Sequence, residues 1–148
     1  MDYKQWNYRG ISFFKEEVDD GNYPSIKLFQ QKGLYQIDIR NRLCDYLENC
    51  PNIIATSYKR FHAYTFEEVS TLSYFTDGDF IFTNLLKEYI YYDDFVLPQR
   101  WYELIRNRNY INDIFELNHE KIFSGEVDIF DNLTRSFDQS SVVKEVIP

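Results

Sequence analysis

Apolar positions recur most regularly between residues 61 and 98. Phe82, Leu85, Leu86, Tyr89 and Ile90 stand at i, i+3, i+4, i+7 and i+8, the spacing that lines one face of an α-helix. This predicts a helix over 80–92, entered through the turn Asp77-Gly78-Asp79. At ~100° per residue, Tyr91 then points away from that face, beside Asn84, Lys87 and Glu88.

Toward the N-terminus the pattern reads as extended chain. Ile11, Phe13 and Phe14 precede a turn rich in Asp, Gly and Asn, Ile26 to Phe29 follow Pro24, and Gln31-Lys32-Gly33 marks a hairpin loop. Tyr35, Ile37 and Ile39 alternate with Gln36, Asp38 and Arg40, the period of a half-buried strand. Strands are therefore expected at 11–15, 26–30 and 34–39. Asn41 is placed to cap a helix whose stripe is Leu43, Tyr46, Leu47 and Cys50, stopped by Pro51.

Residues 53–64 fit a helix through Ile54, Tyr58, Phe61 and Thr65, or a strand face through Thr56, Tyr58, His62 and Tyr64; the helix is preferred. Thr65-Phe66-Glu67-Glu68 has capping-box spacing, with Val69 and Leu72 continuing the stripe. Pro98 is suited to begin a helix carrying Trp101, Leu104, Ile105 and Arg108. Ile111, Ile114 and Phe115 extend the pattern over 109–118, Ser124-Gly125 interrupts it, and 126–137 reads as a last helix. Ile-Arg-Asn-Arg occurs at 39–42 and again at 105–108, with flanks that do not align. The expectation is one domain over 1–148 of α+β class, rich in helix: a short N-terminal antiparallel β-meander within 11–40, about five helices across 41–137, and a tail at 138–148.

Composition sharpens this little. A chain of 148 residues with 44% hydrophobic and 27% charged residues is an ordinary globular sequence. The 19% aromatic content stands out, and residues 61–98 hold eleven of the twenty-eight rings. Codon bias and binding hot spots both produce such an excess. No run reaches the ~18 apolar residues of a membrane span, and the N-terminal residues carry no signal-peptide core, so a cytoplasmic protein is expected. Cys44 and Cys50 then read as reduced, buried thiols.

No catalytic, cofactor or metal motif is found. His119-Glu120 begins an HExxH pattern, but Phe123 occupies the second histidine position. The Asp-Gly turns lack EF-hand spacing, and there is no glycine-rich phosphate loop. Charge is the better guide. The net charge of −8 argues against direct nucleic-acid binding. Within 61–98, seven acids face the single Lys87, and 109–134 is also acidic, whereas Arg100, Arg106 and Arg108 lie between.

This character points to a small acidic inhibitor of immunity type, which neutralises a basic toxin, a nuclease among the options, by covering it. The expected contact residues are Tyr91, Tyr92, Asp93, Asp94, Glu88, Asp77, Asp79, Glu67 and Glu68. The alternative is a small enzyme or regulatory subunit whose pocket is lined by rings and carboxylates, marked by acids of raised pKa in a deep cavity.

Overall fold

The computed structural model of the protein describes residues 9–11, 14–18, 25–56, 60–69 and 71–112. In chain order the elements are β1 (Arg9–Ile11), α1 (Lys15–Val18), a 3-10 turn (Ile26–Phe29), α2 (Ile37–Glu48), β2 (Asn52–Thr56), β3 (Arg60–Phe61), β4 (Glu68–Val69), β5 (Leu72–Thr76), β6 (Phe80–Thr83), α3 (Leu85–Tyr92) and α4 (Gln99–Asn107). The larger sheet has the order β1-β6-β5-β2, with β1 parallel to β6 and the other pairs antiparallel. The small hairpin β3–β4 forms a second sheet.

The protein is thus α+β, but strands and helices interleave, and the expected N-terminal meander followed by about five helices is absent from the described residues. Within the expected strand at 11–15, Ile11 ends β1 and Lys15 already begins α1. Residues 26–29 form the 3-10 turn, opened by Ser25, whose hydroxyl accepts from the Lys27 N–H at 3.3 Å. Nor do residues 34–39 form a strand. Tyr35 and Ile39 are buried but Ile37 between them is 61% exposed, so the working period is four, continued by Leu43 and Leu47. Alternation over five residues does not separate the two periods, and α2 begins at Ile37, ahead of the expected Asn41 cap.

The preference for helix over 53–64 is also overturned. Residues 52–56 are strand β2, which pairs with β5 through a bulge near Ile54, and the Thr65 hydroxyl accepts from the Glu67 N–H at 3.3 Å inside the β3–β4 loop instead of capping a helix. The expected 80–92 helix divides in two. Phe80-Ile81-Phe82-Thr83 is strand β6, all four residues buried, and the helix starts only at Leu85. β6 lies inside the sheet. On one face Phe80 and Phe82 pack on Trp101 of α4, with ring centroids 4.8 and 5.5 Å away, while Ile81 is buried on the opposite face. A strand covered on both faces reads as an unbroken apolar run, without alternation. α4 forms after Pro98 as expected, but Asn109 and Tyr110 turn the chain out with φ of 56° and 59°. Of the helix expected at 109–118, residues 109–112 are therefore non-helical and the rest lie outside the described residues, as do the expected helix at 126–137 and the tail.

Of the 27 buried apolar residues described, eleven carry aromatic rings. Phe14, Phe29, Phe95 and Tyr89 cluster with centroids 5.5–6.4 Å apart, and Tyr35 stacks on Tyr102. Two buried carboxylates pin the core. Asp77 Oδ1 accepts from the N–H groups of Asp79 and Phe80, closing the β5–β6 turn; Oδ2 accepts from Tyr46 of α2 and Trp101 of α4, each at 2.7 Å. Glu17 Oε1 accepts from the Phe14 N–H and Oε2 from the Tyr89 hydroxyl, which itself accepts from the Ala63 N–H. One carboxylate thus joins α2, α4 and the sheet; the other joins α1, α3 and the β3–β4 hairpin.

Candidate functional site

Helix α3 divides its side chains sharply. Leu85, Leu86, Tyr89 and Ile90 enter the core, while Tyr91 and Tyr92 are 39% and 75% exposed, with their rings edge to face at 4.7 Å. The helix ends where Asp94 takes a left-handed conformation, φ 57°, and the Asp93 and Phe95 N–H groups both return to the Tyr89 carbonyl. Arg40 of α2 holds that end, donating to the Tyr91 carbonyl and to Asp94 Oδ1, each at 3.2 Å. At the other end Lys87 lies 3.7 Å from Glu48.

Between α2 and α3 runs an open groove of about 450 Å³. Asn41, Cys44, Asp45 and Glu48 form its α2 wall, and Lys87, Glu88, Tyr91 and Tyr92 its α3 wall. Three carboxylates face one ammonium, and Asp45 has no cation within ion-pair distance among the described residues. The thiol of Cys44, donating to the Lys87 carbonyl at 3.7 Å, is pushed up to about 11 by burial and is no nucleophile at neutral pH. At the end of α3, burial raises the Asp93 carboxyl above its ordinary range. His62 pulls it down, while Asp94 and Glu88 push it further up, so these charges share one neighbourhood.

The tip of the β3–β4 hairpin meets α3 at Glu88, whose Oε2 lies 3.7 Å from His62 Nε2. This tip is held tightly. His62 Nδ1 accepts from the N–H groups of Tyr64 and Thr65, the His62 N–H donates to the Glu67 carbonyl, and the Phe66 N–H donates to the His62 carbonyl. Phe66 closes the loop at φ 60°, where glycine or asparagine is the usual choice, and its ring is 64% exposed. Such a backbone costs a bulky residue ~1–2 kcal/mol. Of the other residues with positive φ, Asp94 is of a type that tolerates it, Asn109 likewise, and the ring of Tyr110 is covered by Arg42 at 4.1 Å. Phe66 has neither justification.

The expected contact residues separate accordingly. Tyr91, Tyr92, Glu88, Asp93 and Asp94 come together at the end of α3, and exposed Glu67 and Glu68 flank the hairpin tip. Asp77 does not join them: at 0% exposure it is a core anchor, since a turn carboxylate that meets four N–H and O–H donors is drawn inside. Asp79 beside it is paired with Arg108 Nη2 at 2.5 Å. Sequence reasoning missed the α2 wall, although Asn41, Cys44, Asp45 and Glu48 stand at i, i+3, i+4 and i+7 and share a helix face. It also missed the exposure of Phe66, which no spacing reveals.

Among the described residues, no group of three or more His, Cys, Asp or Glu side chains is placed to hold a metal ion, and no helix is long and apolar enough to cross a membrane. Glu17, whose carboxyl is pushed up to about 7 by burial against the opposing pull of its hydrogen bonds, lines neither this groove nor the smaller cavity beside Phe75 and Phe82. No protein-family model, curated protein or solved structure matches the chain.

Proposed function

We propose that the protein binds a basic protein through the end of α3 and the α2–α3 groove, acting as an inhibitor of immunity type that neutralises its target by covering it. The observation that carries this reading is the pair Tyr91 and Tyr92, exposed beside a groove whose lining sets Asp45, Glu48 and Glu88 against one lysine, Lys87. Exposed tyrosines supply large contact area at small entropic cost, and surrounding carboxylates steer a cationic partner and select it. A basic toxin, nucleases included, offers the matching charge. A catalytic alternative requires titratable groups converging in a cavity; Glu17 has the most strongly raised carboxyl but is enclosed by Tyr89, Phe14 and the hairpin.

The test begins with affinity capture from the native host at low ionic strength, followed by purification of the retained protein and measurement of its affinity for variants. Tyr91→Ala and Tyr92→Ala should each weaken binding by ~2 kcal/mol or more while leaving the unfolding midpoint nearly unchanged. Full affinity in the double variant, or a retained protein that is acidic, contradicts the reading.

A further inference from the structure

Among the described residues, the exposed aromatic rings are those of Tyr91, Tyr92 and Phe66. The first two are placed by α3, and the third stands on a separate hairpin that touches α3 through His62 and Glu88. We propose that Phe66 is the apolar anchor of the same docking surface, entering a pocket of the basic partner that is hydrophobic inside and cationic at its rim. This rests on the protein-binding reading above and adds to it a second, independently built contact.

Three observations carry it. First, the ring sits where local preference argues for glycine or asparagine, in a left-handed conformation that the neighbouring hydrogen bonds of His62, Thr65 and Glu67 enforce. Such departures from local preference, without a packing gain inside the molecule, concentrate at functional positions. Second, the loop is pre-organised. The Ala63 N–H is tied to Tyr89 in the core and both ring-facing N–H groups of the turn are tied to His62 Nδ1, so seating Phe66 in a partner orders little further chain. Third, the chemistry around the ring fixes the kind of partner. Glu67 is exposed beside it and Glu88 lies across the His62 contact, so a pocket with a lysine or arginine rim is complementary, whereas an acidic rim is repelled.

The decisive experiment replaces Phe66 by photoreactive benzoyl-phenylalanine, with Ile111, exposed in the chain that follows α4, as the control position. The partner purified from the host is then cross-linked and its affinity measured for Phe66→Gly, Phe66→Asn and Tyr92→Ala. Position 66 should cross-link to the basic partner and position 111 should not. Phe66→Gly and Phe66→Asn should keep or raise the melting temperature, because both residues accept the backbone conformation, yet weaken binding at least tenfold, chiefly through faster dissociation. Full affinity in both Phe66 variants, with Tyr92→Ala weakened, overturns this inference and leaves the α3 reading standing. Full affinity in all three overturns both. A fall in melting temperature for both Phe66 variants also overturns it, since the ring then serves the fold.

Discussion

Asp77 and Glu17 are both buried carboxylates that join three elements, yet they are compensated to different degrees. Asp77 takes two backbone donors, a tyrosine, an indole and the nearby Arg108, whose Nη1 lies 3.6 Å away, so its charge is matched from all sides. Replacing it by asparagine turns one acceptor into a donor that faces other donors. Asp77→Asn should cost ~3–5 kcal/mol in urea unfolding; a loss below ~1 kcal/mol would mean that the turn holds itself. Glu17 has weaker compensation, and burial lifts its carboxyl to about 7 from 4.5. The unfolded chain therefore releases its proton at lower pH than the folded chain does. Stability from this group is full below about 4.5 and declines as pH rises toward 7. Glu17→Gln should flatten that decline, which amounts to ~3 kcal/mol across the window. Parallel slopes in wild type and variant would assign the pH dependence elsewhere.

Helix α3 carries a buried stripe and an exposed tyrosine pair along a single element. Leu86 is buried against the core, so Leu86→Ala should cost ~2–5 kcal/mol of stability, measured by chemical denaturation, whereas Tyr92→Ala should cost almost none. If both unfold the protein alike, the tyrosine is not a surface residue. The same helix shows what the chain reveals locally and what it conceals. Its buried stripe was legible from Leu85 to Ile90, as was α4 after Pro98, because a helix of two turns or more repeats its period often enough to be distinguished. Phe80 to Thr83 could not be told from helix, since a strand enclosed by Trp101 on one side and core on the other shows no alternation, and that enclosure depends on residues twenty positions away. Tyr35, Ile37 and Ile39 misled in the opposite sense. Three alternating residues imitate a strand, and only the burial of Tyr35 and Ile39 with Ile37 outside reveals the helical face.

At the scale of the molecule, the rings of the described residues fall into two populations. Most of the rings in 61–98 are core or half-buried and serve packing; Phe66, Tyr91 and Tyr92 remain outside. The acids divide likewise, Asp77 within and Glu67, Glu88, Asp93 and Asp94 around those rings. The acidic character of the site was therefore visible in residue order, but its second wall, from α2, depends on two helices meeting and is invisible in either alone. A surface of this sign should draw a cationic protein at a rate set by long-range charge. The most direct measurement is the association rate with the captured partner as ionic strength rises from roughly 0.02 to 0.5 M, where screening shortens sharply. A fall of about tenfold or more, reduced in a variant carrying Asp45→Asn, Glu48→Gln and Glu88→Gln, is expected. An association rate that ignores salt, or that is unaltered in the triple variant, would contradict an acidic docking face.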